Sequence, residues 1–475
     1  MIYEPVMGLE VHAQLRTQTK LFCGCKTTFG AQPNLHTCPV CLGLPGALPV
    51  VNRRAVELAV RAALALGCTV HERSQWARKN YFYPDLPKGY QISQYDRPLA
   101  TGGALTIDTA SGPKRVSLTR MHMEEDAGKS VHDDPQAHGR SYVDFNRGGT
   151  PLVEIVSEPE LHSAEEAATY MKALRQVLRY LEVCDGNMEE GSLRCDANVS
   201  LRPVGTQALG VRTELKNINS FRFVQQALAY EIARQTAVLE SGGTVVQETR
   251  LWDSDKKVTR AMRGKEEAHD YRYFPDPDLP ELILPAHLLT RVRAELPELP
   301  FAKRGRYVAA LGLSDYDAAL LTEDATLARF FEAALARHTN AKGIANWVTS
   351  ELLRELKDRD IATLPFSGEA VGVLVALIDD GTISGKIAKD VFAEMLVTGG
   401  DPAAIVEAKG LRQVSDTGAL EAAIDAVMTQ QPDSVTSYRA GNEKVLGFLV
   451  GQVMKATGGK ANPKLVNELL RRKLR

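Results

Sequence analysis

The sequence predicts an α+β domain followed by helical domains, and three patterns support this class. Residues 192–202 alternate apolar and polar side chains, which is typical of a half-buried β-strand. Ser163 followed by Glu166 forms a capping box ahead of apolar residues spaced three and four apart, which predicts an amphipathic helix. Beyond about residue 295, stretches rich in Ala, Leu, Glu, Lys and Arg replace this mixture, so the remainder is predicted to be all helical.

Local signals give further elements and the domain limits. Helices are predicted over 53–66, from Ser220 to Gly242, and after the N-cap pair Asn462-Pro463, and a second alternating strand over 211–216. Prolines 297 and 300 mark a linker. We therefore expect a catalytic domain over 1–295, a helical domain over 296–405 and a helical tail domain over 406–475.

Bulk properties exclude several classes of protein. The chain has 475 residues and a formal net charge of −2, so any surface for nucleic acid must be local. Seven cysteines are too few for a disulfide scaffold in a chain of this length. Residues 1–11 lack the features of a signal peptide, and the strongest apolar run, 371–378, is too short to span a bilayer. We expect a cytoplasmic protein with reduced thiols and no membrane contact.

Four of the cysteines form two close pairs, Cys23 with Cys25 and Cys38 with Cys41. Two thiol pairs joined by a short loop suit a tetrahedral zinc site, although four reduced cysteines in a loop are the alternative. Four thiolates leave no position for a reactive water, so the expected role of zinc is structural. The isolated Cys68, Cys184 and Cys195 are predicted to be packing residues.

Glu10 and His12 are two residues apart in a strand-like segment, so their side chains share one face. A carboxylate beside an imidazole is a natural ligand pair for a divalent metal, and an exposed polar strand face is the alternative. A dense acidic segment, 122–126, follows later. If it is extended, Glu124 and Glu125 face opposite ways, and one of them joins the site.

Glu154 lies among apolar neighbours, so a buried carboxylate at this position needs a partner. Several carboxylates drawn to one place repel each other unless a hard cation lies among them, which points to Mg²⁺. Mg²⁺ usually accompanies a nucleotide, yet no phosphate-binding loop of the usual type is present, because Met123 occupies its first glycine position. Cationic side chains would meet the phosphates instead, with Arg78, Lys79, Arg194, Lys216 and Arg272 as candidates.

Together these segments resemble one family, the B subunit of the glutamyl/aspartyl-tRNA amidotransferase. The resemblance spans essentially the whole chain. It rests on stretches 8–12 (GLEVH), 78–85 (RKNYFYPD), 88–94 (KGYQISQ), 122–129 (HMEEDAGK), 143–147 (VDFNR), 154–159 (EIVSEP), 190–198 (EGSLRCDAN), 214–221 (ELKNINSF) and 269–275 (HDYRYFP).

The resemblance implies an ATP-dependent ligase. Members phosphorylate the side-chain carboxylate of glutamate on tRNA(Gln), or of aspartate on tRNA(Asn), and then amidate it with ammonia. No Ser-Lys amidase signature or Cys-His nucleophile pair is evident in this sequence, and the family uses a separate amidase (A) subunit and a small C subunit in a heterotrimer. The implied catalytic fold is that of glutamine synthetase and the guanido kinases.

The resemblance also implies roles for single residues. Glu10, His12 and Glu125 map onto metal-binding positions, with Glu124 and Glu154 as weaker candidates for Mg²⁺. Glu10, His12, Glu125 and Lys79 are the expected catalytic residues. The expected ATP- and substrate-binding residues are Lys79, Asn80, Arg194, Asn198, Lys216 and Arg272. The implied structural zinc ligands are Cys23, Cys25, Cys38 and Cys41.

The end of the chain is basic. From Lys455 onward one acidic residue, Glu468, stands among several lysines and arginines, which suits contact with an RNA backbone. In the resembling family this tail contacts the outer part of tRNA. Two alternatives remain: a small-molecule carboxylate–ammonia ligase, which needs no RNA-binding arm, and a zinc-bearing RNA-binding protein. The acidic segment argues against the second, because carboxylates repel phosphates unless a metal is present.

Overall fold

The computed structural model describes residues 2–131, 140–262, 271–357, 359–413 and 417–475. Two residues of the stretch 269–275, His269 and Asp270, lie outside this range. The chain divides into two compact units, Met1–Pro300 and Phe301–Arg475. A mixed α/β unit followed by a helical one confirms the predicted order of structural classes.

The first unit is built on a large sheet. Its described strands are β1 (Tyr3–Gln14), β2 (Thr69–Val70), β3 (Arg73–Ser74), β4 (Ala77–Asn80), β5 (Tyr90–Ser93), β6 (Ala100–Thr101), β7 (Ala104–Thr109), β8 (Gly112–Glu125), β9 (Lys129–Val131), β10 (Tyr142–Asp144), β11 (Pro151–Ser157), β12 (Leu193–Pro203), β13 (Thr213–Ile218), β14 (Glu248–Asp253), β15 (Val258–Ala261), β16 (Phe274–Pro275) and β17 (Leu282–Ile283).

Among the described residues, ten strands form one sheet in the order β15-β14-β13-β12-β1-β11-β8-β6-β2, with β7 paired to β8. Neighbouring strands run antiparallel, except for β13 and β14, which are parallel. Strand β1 lies between β11 and β12, whose sequences come far later in the chain. A separate three-stranded sheet, β16-β4-β5, contacts β8.

The described helices of this unit are α1 (Arg53–Ala65), α2 (Ala164–Tyr180), α3 (Phe221–Glu240) and α4 (Ala286–Ala294). The first three confirm the predicted helices. Ser163 caps α2 by accepting a hydrogen bond from Glu166 N. In a complete capping box the Glu166 carboxylate would accept a hydrogen bond from the backbone N–H of Ser163. Here it accepts one from His162 N instead, so the predicted box is formed only in part. Ser220 caps α3 by accepting from Phe223 N.

One face of the sheet is apolar and the other polar. Leu9, Val11 and Ala13 of β1 are fully buried in a core shared with α1, α2 and α3. The intervening residues of β1 project from the opposite face, as the alternation predicts. Helices α2 and α3 contact β7, β12 and β13 on the apolar side, and Glu10, His12 and Gln14 of β1 lie on the opposite, polar face.

The second unit is helical throughout its described part, as predicted. Its elements are α5 (Pro300–Leu311), α6 (Asp315–Leu321), α7 (Ala325–Arg337), α8 (Ala341–Asn346), a π-helical segment (Trp347–Leu352), α9 (Leu353–Leu356), a 3-10 turn (Ile361–Thr363), α10 (Gly368–Asp379), α11 (Gly385–Thr398), α12 (Pro402–Ala408), α13 (Thr417–Gln430), α14 (Pro432–Arg439), α15 (Val445–Ala456) and α16 (Pro463–Leu474).

The described residues of this helical unit form two apolar cores. One contains residues from Tyr307 to Val406 and the other residues from Leu420 to Leu474. The last helix begins as predicted, because the Asn462 side chain accepts hydrogen bonds from Lys464 N and Leu465 N. In the described part of the chain, no helix combines the length and apolar character needed to cross a membrane.

Candidate active site

A cluster of two histidines and two carboxylates lies at the middle of the polar sheet face. His12 pairs across strands with Glu154, and Glu154 pairs with His122. Nε2 of His12 is 3.3 Å from Oε2 of Glu154 and 3.5 Å from Oε1 of Glu124. We call His12, His122, Glu124 and Glu154 the acid–histidine cluster. One ligand atom from each of His12, Glu124 and Glu154 lies within 4.8 Å of the others, a spacing that suits one divalent cation.

Electrostatic interactions within the cluster shift the pKa values of His12 and Glu154 in opposite directions. Burial alone would lower the pKa of His12, but a hydrogen bond to Glu154 and the charges of Glu124 and Glu154 raise it to about 9. Burial would likewise raise the pKa of Glu154, yet His122 and His12 hold it well below its usual range. The same negative potential that favours the imidazolium favours a metal cation.

His122 is a site residue that sequence reasoning did not select. Its Nε2 lies 3.3 Å from Oε2 of Glu154 and 3.8 Å from Oε2 of Glu124. Within the described part of the chain, its buried Nδ1 has no hydrogen-bond partner. His122 precedes Glu124 by two residues, so the strand alternation that separates Glu124 from Glu125 already places His122 on the polar face.

Glu125 lies on the other face of β8. Its carboxylate forms an ion pair with Nζ of Lys88, and Oε1 accepts a hydrogen bond from Ile92 N at 2.9 Å. Gln91 donates to its backbone carbonyl at 2.7 Å. The alternation therefore divides the acidic segment as predicted. The structure brings Glu124 and Glu154 to His12 and leaves Glu125 with Lys88.

Glu10 belongs to a neighbouring polar group on the same sheet face. Its Oε1 accepts a hydrogen bond from Asn198 at 2.9 Å. Burial raises the pKa of Glu10, and the negative charges of Glu154, Glu214 and Asp196 add to the effect. Lys216 forms ion pairs with Asp196 and Glu214, and these carboxylates hold its pKa above the usual range despite burial.

The three-stranded sheet places two candidate phosphate-binding residues beside the cluster. Nζ of Lys79 lies 4.7 Å from the ring centre of Tyr271. Although burial opposes its charge, the charge of Glu124 contributes most to raising the pKa of Lys79 above its usual range. The Asn80 side chain donates to the carbonyls of Tyr271 at 3.2 Å and Arg272 at 2.8 Å. Asn80 therefore holds the segment that carries Arg272.

Arg194 is partly exposed and forms an ion pair with the buried Asp126. Its guanidinium donates to both carboxylate oxygens of Asp126, at 2.8 and 2.9 Å, and Gln14 donates to the same carboxylate at 2.9 Å. Burial would raise the pKa of Asp126, but Arg194 and Arg147 lower it. The Arg194 guanidinium is therefore held by Asp126, a further residue that sequence reasoning did not select.

The four predicted zinc ligands also come together. One sulfur from each of Cys23, Cys25, Cys38 and Cys41 lies within 4.8 Å of the others. The sulfurs of Cys38 and Cys41 are 3.8 Å apart, and Cys38 N donates to Cys41 Sγ at 3.2 Å. Sulfurs bound at about 2.3 Å to a tetrahedral zinc are about 3.8 Å apart, so this geometry fits zinc.

The remaining cysteines are buried, in agreement with their predicted packing role: Cys68, Cys184 and Cys195.

The sheet, the acid–histidine cluster and the thiol cluster (Cys23, Cys25, Cys38 and Cys41) lie within residues that match a family of catalytic domains. The family model of the GatB/GatE catalytic domain matches residues 5–290, and that of the GatB domain matches residues 329–474. The chain is 58% identical to the B subunit of the aspartyl/glutamyl-tRNA(Asn/Gln) amidotransferase of Geobacter sp. strain M21, with both sequences covered completely. This chain belongs to the family of amidotransferase B subunits.

Two further relatives carry the same name. The protein of Geobacter sulfurreducens is 58% identical, again with both chains fully covered. The protein of Myxococcus xanthus is 56% identical over 99% of this chain and 98% of its own length. The similarity therefore covers both the mixed unit and the helical unit.

Proposed function

We propose that this chain is the phosphorylating and amidating subunit of a tRNA-dependent amidotransferase. It uses ATP to phosphorylate the side-chain carboxylate of Glu-tRNA(Gln), Asp-tRNA(Asn) or both, and replaces the phosphate with ammonia. The observation that carries the proposal is the acid–histidine cluster with Lys79 beside it, in a chain that resembles proteins of this name along its whole length. Such an enzyme would work in the cytoplasm, where its tRNA substrates are.

The donor set supports a divalent cation such as Mg²⁺. His12, Glu124 and Glu154 would hold it, and Glu10 lies on the same face of the same strand as His12. Carboxylates are the oxygen ligands that Mg²⁺ prefers. When bound, Mg²⁺ supplies positive charge to the phosphate oxygens of ATP. Glu125 remains a ligand predicted from the family resemblance, with Lys88 as its partner in the structure.

The chain's own cations would orient ATP and the acyl group. Lys79, kept charged by Glu124, would contact a transferring phosphoryl group and stabilise its charge. Arg194 would hold the carboxylate of Asp126 in place and Lys216 that of Asp196, because each pair already forms an ion pair. We assign ATP and substrate binding to Lys79, Asn80, Arg194, Asn198, Lys216 and Arg272.

Ammonia is proposed to come from a separate amidase subunit, held with a small third subunit in a heterotrimer. Two of the three isolated thiols are deeply buried, and burial raises the pKa of Cys184 to about 12. Burial also raises the pKa of Cys195 well above its usual range. Neither thiol has the lowered pKa of a glutaminase nucleophile.

The thiol cluster is proposed to bind a structural zinc ion, since four cysteine ligands leave no position open. We also propose that the first unit shares the catalytic fold of glutamine synthetase and the guanido kinases. Its mostly antiparallel sheet, covered by helices on one face and polar on the other, supports this.

The tail domain, 406–475, is proposed to bind tRNA, and 296–405 to form a separate helical domain. The two apolar cores of the helical unit support this division. Lys455 and Lys464 are exposed and, among the described residues, make no ion pair. Arg472 and Lys473, by contrast, are paired with Glu421 and Asp425. The first two lysines are therefore better placed to contact phosphates.

The test is an ADP-release assay with the purified complex of this chain and its partner subunits. We expect ADP to form in the presence of Glu-tRNA(Gln) or Asp-tRNA(Asn), with amide formation when ammonium is added. Free glutamate or aspartate should give no ADP above background. Equal activity on the free amino acids would instead support a small-molecule ligase and overturn the proposal.

A further inference from the structure

Lys20 is a fully buried lysine beside the thiol cluster, with an exposed fraction of 0%. Its Nζ donates to the carbonyl of His36 at 2.7 Å and to that of Phe145 at 3.2 Å. A third contact is made with Sγ of Cys41 at 3.6 Å. The ammonium group has three N–H bonds, so each of them has an acceptor.

The charge of Lys20 lacks a carboxylate partner. None of the ion pairs formed by the described residues involves Lys20, and two of its three acceptors are neutral carbonyls. A buried ammonium group is costly unless an opposite charge or a metal-bound anion lies next to it. The thiol cluster, reached through Cys41, is the source of negative charge that this geometry offers.

A zinc ion with four thiolate ligands carries an excess of negative charge. Two positive charges and four negative ones leave a net charge of about −2 in a partly buried loop. Hydrogen bonds and charges just outside the ligands govern how tightly such a metal is held. Cys38 N donates one hydrogen bond to Cys41, and Lys20 brings a full positive charge to the same sulfur.

Lys20 also joins the thiol loop to the segment that leads into β11. Its contact with Phe145 spans more than a hundred residues of sequence, and Leu21 N donates to the Gly149 carbonyl at 2.8 Å. At Gly149 the backbone has a positive φ of 86°, and a Cβ would lie 3.3 Å from Cδ of Lys20 and 3.6 Å from Cβ of Cys41. The lysine stem thus packs tightly between the thiols and the catalytic sheet.

We propose that Lys20 is the counter-charge of the thiol-bound metal and anchors its loop to the catalytic sheet. Lys20 is a positioning residue in this role, because it acts through Cys41 and the two carbonyls. The inference rests on the zinc ion assigned under the proposed function and adds a residue that determines how tightly that ion is held.

The experiment measures zinc content and the rate of zinc release to a chromogenic chelator, using the full-length chain. The key variant is Lys20→Met, which keeps the apolar stem and removes the charge. Lys26→Met is the matched control, because Lys26 is an exposed lysine of the same loop. We expect about 10–100-fold faster release from K20M, the range for missing outer-shell partners, and wild-type release from K26M.

A second variant and a second readout guard against a K20M chain that fails to fold. Lys20→Gln retains hydrogen-bond donors for the carbonyls but not the charge, so it should also release zinc faster. Each change is then repeated in a Cys41→Ser background. If Lys20 acts on the metal centre, the decrease in Tm should be larger in the zinc-loaded protein than in this background.

The results of these measurements distinguish the zinc assignment from the role of Lys20. A wild-type chain that holds no zinc overturns the zinc assignment and the role of Lys20 with it. A zinc-containing wild type whose K20M and K20Q variants release the metal at the wild-type rate overturns the role of Lys20 alone. An equal decrease in Tm in both backgrounds also overturns it, because Lys20 would then serve the carbonyls only.

Discussion

Glu124 and Glu125 are adjacent in sequence, yet their carboxylates lie on opposite faces of one strand. Oε1 of Glu124 is 3.5 Å from Nε2 of His12, whereas the carboxylate of Glu125 is paired with Lys88. The two residues therefore serve different environments, and their substitutions should have separable effects.

We expect Glu124→Gln to weaken binding of Mn²⁺, used as a spectroscopic substitute for Mg²⁺, by at least about 100-fold. Mutating a residue that only contacts a metal ligand lowers metal affinity about 10–100-fold. Glu124 is proposed as a ligand itself, together with His12 and Glu154, so its loss should cost at least as much. Glu125→Gln should change the affinity only a few-fold, because Lys88 and Ile92 N are its partners. Electron paramagnetic resonance titration measures both. Loss of metal in E125Q with retention in E124Q would instead favour Glu125, as the family resemblance implies.

Lys79 is expected to act on the phosphoryl group and not on the metal. Lys79→Met should lower kcat for tRNA-dependent ADP release by about 10²–10³-fold, the usual cost of one electrostatic stabiliser. The affinity for the metal should stay equal or rise, because the positive charge of Lys79 would no longer offset the negative charge of Glu124. Lys129→Met, at an exposed lysine of β9, is the control. Unchanged kcat in K79M would contradict the assignment.

The tail is expected to contact tRNA through Lys455 and Lys464, which make no ion pair with the described residues. Replacing Lys455 and Lys464 together by glutamate should weaken tRNA binding. The slope of the logarithm of the binding constant against the logarithm of the salt concentration should become shallower by about 1 for each phosphate that is no longer neutralised. Filter binding at several salt concentrations provides the measurement. Lys386→Glu, at an exposed position of α11, should have little effect. If the double variant binds tRNA as the wild type does, this surface is not the binding site.

Acid sensitivity should arise in part from a buried ion network on α3. Glu231 is fully buried and accepts hydrogen bonds from Arg234 at 2.6 Å, from Thr259 at 2.9 Å and from Gln235 at 3.0 Å. Burial opposes its charge, but these partners, Arg234 foremost, lower its pKa. Its stabilisation is therefore full above the ordinary glutamate pKa of about 4.3 and is lost as the pH falls through the lowered value.

Glu231→Gln should accordingly destabilise the protein by about 1.5–3 kcal/mol at pH 7, the usual value for hydrogen bonds to a charged group. The difference in Tm from the wild type should be constant between pH 6 and 8 and shrink below about pH 4. Calorimetry at several pH values tests this, with the exposed Glu240→Gln of the same helix as control. A difference that shrank between pH 8 and 6 would point to another group.

Local signals in the sequence were sufficient for much of the secondary structure. Period-two alternation assigned β1 and β12 and put Glu124 and Glu125 on opposite faces, and hydroxyl and amide caps located the starts of α2, α3 and α16. Such signals act over a few residues, because side-chain direction and capping depend on neighbouring backbone groups.

Partners distant in sequence were beyond those signals. The prediction gave Arg194 and Lys216 a phosphate-binding role, but it could not show that Asp126 and Asp196 are their partners in the structure. His122 was missed for the same reason, since its closeness to Glu154 depends on the pairing of β8 with β11.

The sequence by itself determined the class of each unit, the faces of the strands, the four thiols and the membership of the family. Only the tertiary structure decided that His12 stands opposite Glu154 and that Glu124, not Glu125, completes their group. The physical reason is the order β12-β1-β11-β8, in which one apolar face is buried against α1, α2 and α3. Packing of residues far apart in the chain fixes that order, and no local pattern encodes it.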